Sequence, residues 1–115
     1  MQTIEKPWGK EEILEVNDQY MVKRLTMWKD RRCSLQFHKA KKETIYVLTG
    51  CLRILSGQLQ DQLDLRVYGP GEHVTLFPGL IHRMEAEEDC VYLEASTPEM
   101  DDVVRLSDDY NRGEQ

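Results

Sequence analysis

The chain has 115 residues, enough for one domain with one hydrophobic core, and 40% of its residues are apolar while 31% are charged. Its formal net charge of −6 argues against nucleic acid and against an anionic membrane as partners, because both are bound through basic surfaces. The sequence has no apolar run of about 18 residues, so we expect no transmembrane helix, and its first residues lack the apolar core of a signal peptide.

Short apolar runs between turn residues indicate strands along the whole chain. The first are Glu11–Val16, Tyr20–Trp28 and Cys33–His38, followed by Thr44–Gly50, which is rich in β-branched and aromatic residues. Later strands are predicted over Cys51–Gly57, Gln62–Tyr68, His73–Phe77, His82–Ala86 and Cys90–Ser96. A short helical turn is predicted near Asp101–Arg105. About eight or nine short strands predict an all-β antiparallel sandwich or barrel.

The three cysteines, Cys33, Cys51 and Cys90, are odd in number and widely spaced. This usage indicates reduced thiols and a cytoplasmic protein. Cys33 as a nucleophile or a metal ligand is the minor alternative.

Four polar residues have a spacing that suits a metal site. Alternate side chains of a strand share a face, so Gln36 and His38 are expected to point the same way. Glu43 follows a short turn, and His82 comes from a distant part of the chain after a Pro-Gly turn. Two imidazoles, a carboxylate and an amide oxygen form a cage for one divalent ion. The alternatives are core or loop histidines, a solvated glutamate and a glutamine that only hydrogen-bonds the site.

This spacing resembles the first signature of the cupin superfamily, which reads H-x-H, three or four residues, E, six residues and G, with Gln36 in the place of the first histidine. The glycine that opens the signature is replaced by Asp30. The second signature, G followed by P-x-G-x-x-H, resembles the segment Gly71 to His82, in which the Pro-to-His interval is one residue short. The resemblance implies a single cupin domain over residues 1–115, a double-stranded β-helix closed as a jelly-roll barrel.

Three further segments narrow the resemblance: EKPWGKEEIL (Glu5–Leu14), SLQFH (Ser34–His38) and LEASTPEMDDVVRLSDDYNR (Leu93–Arg112). Together they look like the mannose-6-phosphate isomerase-like cupins, which include type II phosphomannose isomerases and the C-terminal domain of mannose-1-phosphate guanylyltransferases. We expect the cupin unit alone, without a nucleotidyltransferase domain. The resemblance implies one divalent ion (Zn, Mn or Fe) with these ligands: Gln36, His38, Glu43 and His82.

Three positions depart from the family pattern. Ala40 stands where many members have a further histidine, the loop from Pro78 to His82 is short, and Asn111 replaces a glycine that it can mimic in the left-handed region. The first two departures count against activity more than against the fold.

The first functional hypothesis is metal-dependent isomerisation of mannose 6-phosphate and fructose 6-phosphate, in carbohydrate metabolism. Glu94 is the candidate general base, since the family keeps an acid there; the alternative is a buried partner of a strand arginine. Lys23 and Arg83 are the candidate phosphate contacts, because a dianion in an acidic protein needs local compensation. Surface solubilisation is the alternative for both residues.

Two other functions are consistent with the sequence. One is a non-catalytic module that binds a sugar phosphate or nucleotide sugar, which Ala40 and the short loop favour. The other is a metal-dependent dioxygenase that uses His38, His82 and Glu43.

We expect a homodimer formed through edge strands. The C-terminal segment is rich in charged residues, and we expect them to form an ion-pair network that holds this segment over the barrel. This structural role is favoured over a role in catalysis. The residues are Asp101, Asp102, Arg105, Asp108, Asp109 and Arg112.

Overall fold

The structure is a computed structural model, and it describes residues 1–110. This part of the chain forms β-strands and no helix, so it holds no helix long and apolar enough to cross a membrane. The eleven strands are β1 Gln2–Lys6, β2 Gly9–Val16, β3 Met21–Met27, β4 Leu35–His38, β5 Glu43–Thr49, β6 Leu52–Leu59, β7 Gln62–Tyr68, β8 His73–Leu76, β9 Ile81–Ala86, β10 Cys90–Ser96 and β11 Val103–Ser107.

The strands form two antiparallel sheets. The first sheet has the order β1-β2-β3-β10-β5-β8, and the second has the order β11-β4-β9-β6-β7. Alternation along β10 shows how the core forms, because Cys90, Tyr92 and Glu94 are buried and the residues between them are more exposed. The buried apolar cluster draws on both sheets and includes Trp8, Leu25, Ile45, Leu52, Met84 and Tyr92. The predicted all-β architecture is therefore confirmed.

Two strands at the ends of the described chain were not expected from the sequence. β1 contains one apolar residue, Ile4, and exists because its backbone pairs with β2 from Gln2↔Ile13 to Lys6↔Gly9. The helical turn predicted near Asp101–Arg105 is wrong, since the chain there enters β11 and pairs with β4. Hydrogen bonding to the open edge of β4 decides the conformation of this segment, and local preference does not.

Asp30 has a left-handed backbone conformation, with φ of 67°. Its amide donates a hydrogen bond of 2.8 Å to the carbonyl of Ala86, which holds the turn before β4 against β9. Asp is one of the few residues other than glycine that tolerate this region. The aspartate therefore takes the conformation expected of the glycine that opens the cupin signature.

None of the three cysteines forms a disulfide within residues 1–110, and Cys33 and Cys90 are buried. Burial raises the pKa of the Cys90 thiol to about 12, with Cys51 and Asp89 adding to the effect. The pKa of Cys51 is also raised, by burial and by Glu87. Thiols in these environments stay protonated and unreactive, so Cys51 and Cys90 are not suited to act as nucleophiles.

Candidate metal centre and its cavity

Three of the predicted ligands converge on one point between the sheets. His38 ends β4, Glu43 begins β5 and His82 lies in β9, and their ligand atoms all lie within 4.8 Å of one another. Glu43 Oε2 is 3.8 Å from His38 Nε2, and Glu43 Oε1 is 3.3 Å from His82 Nε2. All three side chains are almost wholly buried. The structure thus brings together a carboxylate from the first sheet and two imidazoles from the second.

Both histidines are oriented by their Nδ1 atoms. His38 Nδ1 lies 2.9 Å from Asp102 Oδ1, and His82 Nδ1 lies 3.1 Å from the carbonyl oxygen of Leu80. The carbonyl can only accept, so His82 Nδ1 is the donor, and an ionised Asp102 imposes the same tautomer on His38. In the neutral rings, each Nε2 therefore presents its lone pair to Glu43. This arrangement is typical of metal-ligating histidines.

The buried atoms of this cluster fit a cation. His82 Nε2 is buried and has no hydrogen-bond partner among residues 1–110. It lies 3.3 Å from the carboxylate of Glu43, and in the neutral ring both atoms are hydrogen-bond acceptors. Leaving such an atom unsatisfied costs about 1–3 kcal/mol. A divalent ion would satisfy both acceptors, and two imidazoles with a carboxylate suit Zn, Mn or Fe.

His38 and Glu43 have the charge states that a metal needs. Burial lowers the pKa of His38 below its ordinary value and keeps the ring neutral, although Glu43 and Asp102 oppose this. Burial alone would raise the pKa of Glu43, but its two histidine neighbours outweigh burial and lower the pKa. Glu43 is therefore ionised beside the neutral imidazole of His38.

Gln36 lies on the same face of β4 as His38 and lines the same cavity. It is in register with His82 of β9, and its Oε1 accepts a hydrogen bond of 2.5 Å from Ser34 Oγ. A second lone pair of that oxygen remains available. Its role as a fourth ligand stays a prediction.

Ala40, which stands where many family members have a histidine, does not line the cavity. Ala40 is exposed on the turn between β4 and β5 and is not among the cavity-lining residues. Its amide donates 2.9 Å to Asp102 Oδ2, and the amide of Lys41 donates 2.7 Å to the same oxygen. The turn is therefore folded around the carboxylate of Asp102, which also holds His38.

The short loop before His82 still delivers that residue to the site. Gly79 has φ of 85°, and its amide donates 2.8 Å to the carbonyl of His38. The loop is therefore joined directly to the strand that carries the other imidazole. Neither departure from the family pattern disturbs the three-residue cluster.

The candidate base Glu94 is buried beside the cluster. Its side chain is buried and lines the cavity. Burial, together with the charge of Glu43, raises the pKa of Glu94 to about 8. The cation in register with it across β3 and β10 is Lys23, not an arginine. Glu94 therefore holds a proton near neutral pH at the wall of the cavity.

Of the two predicted phosphate contacts, the structure brings only Lys23 to the cavity. Lys23 Nζ lies 3.2 Å from Glu11 Oε2. Burial alone would lower the pKa of Lys23, but Glu94 and Glu11 outweigh it and raise the pKa. The lysine is therefore charged and already has carboxylate neighbours.

Arg83 lies on the opposite face of β9 from His82. Its Nε donates 2.9 Å to the carbonyl of Cys33, and its guanidinium also contacts the carbonyl of Ser107 at 3.3 Å. Asp109 is 3.7 Å away. Arg83 is not among the cavity-lining residues, so its role as a substrate contact gains no support from the geometry.

The predicted ion-pair network of the C-terminal segment exists in part. Asp109 accepts bonds of 2.6 and 3.1 Å from Arg32, and this hydrogen bonding lowers the pKa of Asp109. Asp102, however, positions His38, a role that the sequence did not reveal because no local pattern links residues so far apart. Asn111 and Arg112 lie outside the described residues.

The cluster opens onto a cavity of about 220 Å³ between the two sheets. Apolar side chains of both sheets form much of its wall, Met21, Leu25, Met84 and Tyr92 among them. Three carboxylates line it, from Glu11, Glu43 and Glu94. Four cationic side chains also line it, from Lys6, Lys23, Lys41 and Arg105. The cavity is therefore richer in cations than in carboxylates, within a chain whose formal net charge is −6.

A family model described as "Mannose-6-phosphate isomerase C-terminal" matches residues 1–108. The mannose-1-phosphate guanylyltransferase of Escherichia coli (strain K12) is 30% identical over 113 residues, which cover 93% of this chain and 22% of that protein. The corresponding protein ManC of Salmonella typhimurium is 29% identical with the same coverage. The chain thus spans about a fifth of the length of these relatives.

Solved structures share the fold. The capsular polysaccharide assembling protein CapF of Staphylococcus aureus has a TM-score of 0.82 at 17% identity, covering 92% of this chain and 34% of that one. KdgF from Halomonas sp. has a TM-score of 0.76 at 16% identity, covering 88% and 91% of the two chains. A Bacillus subtilis oxalate decarboxylase has a TM-score of 0.79 at 18% identity, covering 91% and 30%. These neighbours confirm the predicted cupin jelly roll.

Proposed function

Because the chain belongs to the mannose-6-phosphate isomerase C-terminal family, we propose that it is a metal-dependent enzyme that interconverts the aldose and ketose forms of a phosphorylated sugar. Mannose 6-phosphate and fructose 6-phosphate are the proposed pair. The observation that carries the proposal is the meeting of His38, Glu43 and His82 at one point of a cavity, with the protonated carboxyl of Glu94 beside them.

The three clustered residues would hold the ion, with Gln36 as the proposed fourth ligand. When bound, such an ion polarises carbonyl and hydroxyl oxygens and stabilises the negative charge that develops on them during enolisation. The two histidines are kept in the required tautomer by Asp102 and by the carbonyl of Leu80. The protein's contribution here is a fixed, dehydrated and correctly protonated set of donors.

The proton that moves between C1 and C2 of the sugar needs a group that can both take it and return it. The ionised form of Glu94 would take this proton and return it, because the carboxyl faces the cavity and its pKa of about 8 leaves a fraction of it ionised near an ordinary working pH. Lys23, in register with Glu94 on β3, would balance the charge of its ionised form. The apolar wall formed by Met21, Leu25 and Tyr92 would limit the access of water to the reacting atoms.

The balance of charge in the cavity supports an anionic substrate. The protein as a whole repels anions, yet four cationic side chains line this one cavity against three carboxylates, and a bound divalent ion would add to the positive charge. This local reversal is what a phosphorylated sugar requires of an acidic protein.

The test is a coupled assay of fructose 6-phosphate formation from mannose 6-phosphate, with the protein loaded in turn with Zn, Mn and Fe. We expect turnover with at least one metal and its loss after chelation. Tight binding of the sugar phosphate with no turnover under any metal would instead identify a binding module. Consumption of oxygen by the iron form, without isomerisation, would identify a dioxygenase.

A further inference from the structure

Arg105 differs from Lys23, another cationic residue that lines the cavity, in its neighbours. Lys23 has Glu11 at 3.2 Å, whereas no carboxylate of residues 1–110 lies within 4 Å of the Arg105 guanidinium. Arg105 Nε is buried and has no hydrogen-bond partner within the same residues. The half-buried side chain therefore places a positive charge at the wall of the cavity, and its buried Nε–H is an unused donor there.

The position of Arg105 is fixed by the strand that carries it. Val103 and Arg105 both line the cavity, as alternate residues of one strand must if they share a face. Val103 is in register with His38 and Arg105 with Gln36. The side chain of Arg105 thus lies on the same face of the second sheet as Gln36, two register pairs away from His38.

The lining carboxylates and Arg105 lie on different sheets of the cavity. All three lining carboxylates, those of Glu11, Glu43 and Glu94, belong to strands of the first sheet, whereas Arg105 belongs to β11 at the edge of the second. An anionic group near Arg105 is therefore kept apart from the carboxylates that would repel it. The reacting carbons would lie towards Glu94 in the interior of the first sheet.

A buried Nε–H without an acceptor is costly unless a ligand supplies one. Arginine presents its donors as a planar fork that matches the oxygens of a phosphate or a carboxylate. We propose that Arg105 anchors the phosphate of a phosphorylated sugar in this cavity and so sets the direction in which the sugar enters. This inference rests on the proposed function, whose substrate it orients.

Calorimetry on the metal-loaded protein tests the anchor directly. The titrants are mannose 6-phosphate, mannose, inorganic phosphate and a hexuronic acid, each against the parent, Arg105→Met and Arg66→Met. Arg66 is the matched control, because it is exposed on β7, outside this cavity. We expect Arg105→Met to weaken mannose 6-phosphate at least about tenfold, as the loss of a charge-assisted hydrogen bond implies, while mannose binds as before.

The outcomes separate the anchor from the isomerase reaction. Equal affinity of Arg105→Met and parent for mannose 6-phosphate would overturn the anchor even if the parent isomerises the sugar. Loss of affinity in that variant with no turnover by the parent would support the anchor and refute the isomerase. If the hexuronic acid depends on Arg105 and mannose 6-phosphate does not, the ligand is a sugar carboxylate and the phosphate assignment fails.

A second measurement covers the case in which Arg105→Met does not fold. The Nε–H resonance of Arg105 in the parent is assigned by its absence from Arg105→Lys, which keeps the charge and lacks the fork. We expect this resonance to shift when mannose 6-phosphate is added and to stay in place with mannose. An unmoved resonance at saturating mannose 6-phosphate would overturn the proposal.

Discussion

Asp102 and His38 are joined by a contact of 2.9 Å between Oδ1 and Nδ1, across 64 positions of the chain. The other oxygen of the same carboxylate accepts the amides of Ala40 and Lys41. One side chain from the segment before β11 therefore holds both a candidate metal ligand and the turn that follows it. The hydrogen bonds to these amides and to His38 outweigh burial and lower the pKa of Asp102, so it acts as an anion.

The first prediction concerns this orienting carboxylate. Asp102→Asn should weaken metal binding about 10- to 100-fold, because the amide no longer enforces the tautomer and the basicity of His38. Competition with a chromophoric chelator measures the affinity. Asp101→Asn, the change of an exposed neighbour, is the control and should bind like the parent. Equal affinity of the Asp102 variant and the parent would mean that the contact is only structural.

The second prediction concerns the ligands themselves. We expect about one divalent ion per chain, and the double substitution His38→Ala and His82→Ala should remove it while the circular dichroism spectrum stays β-rich. Elemental analysis provides the count. His73→Ala is the matched control, since His73 is exposed and stacks on Tyr46 away from the cluster. Full occupancy in the double variant would refute the site, and unfolding would assign both rings to the core.

The third prediction separates the proposed base from the ligands. Glu94→Gln should reduce isomerase turnover about 10²- to 10⁴-fold, the usual contribution of a general acid–base group, without lowering the metal content. Turnover and elemental analysis are measured on the same preparation. Glu88→Gln, at an exposed turn, should leave both unchanged. Undiminished turnover in the Glu94 variant would assign the proton transfer to another residue.

A fourth prediction distinguishes Arg83 from a substrate contact. Arg83→Met should lower the free energy of unfolding by about 1–3 kcal/mol, because the carbonyls of Cys33 and Ser107 lose their donor. Denaturant titration measures the loss, and calorimetry should show unchanged affinity for mannose 6-phosphate in the folded variant. A large fall in that affinity with unchanged stability would restore Arg83 to the substrate site.

The fifth prediction is a pH dependence at the Asp109–Arg32 pair. The folded-state pKa of Asp109 is lowered, so its ion pair stabilises the protein fully above the unfolded carboxyl's pKa of about 3.9 and is lost as the pH falls through the lower folded value. Thermal melts from pH 7 to pH 3 should show the parent above Asp109→Asn, with a gap that narrows below about pH 4. A gap that stays constant to pH 3 would contradict this assignment.

Much of the fold follows from local patterns. Gln62–Tyr68 and Cys90–Ser96 are predicted with the bounds that the structure gives them, because turn residues enclose both and apolar residues alternate. Val103–Ser107 is different, since two valines and an arginine fit a short helical turn or a strand equally well. Its state depends on an open edge of β4 from the middle of the chain, which no window of sequence contains.

The candidate site shows the same division. The two histidines and Glu43 are recoverable from spacing, whereas Asp102 is not, because its partner is remote in sequence. The placing of His82 and Arg83 in one site conflicts with strand geometry, since adjacent residues of a strand point to opposite faces. That rule alone, applied to β9, predicts that Arg83 faces away from the cluster.

The division of the cluster between the sheets has a thermodynamic consequence. Glu43 belongs to the first sheet and both histidines to the second, so an ion held by them is a cross-link between the two layers. Whatever binds the folded state alone adds its binding energy to the stability of the fold. At free metal concentrations above the dissociation constant of the site, each tenfold rise should therefore add about 1.4 kcal/mol to the free energy of unfolding. The unfolding equilibrium of the chain would then report the metal supply of its surroundings.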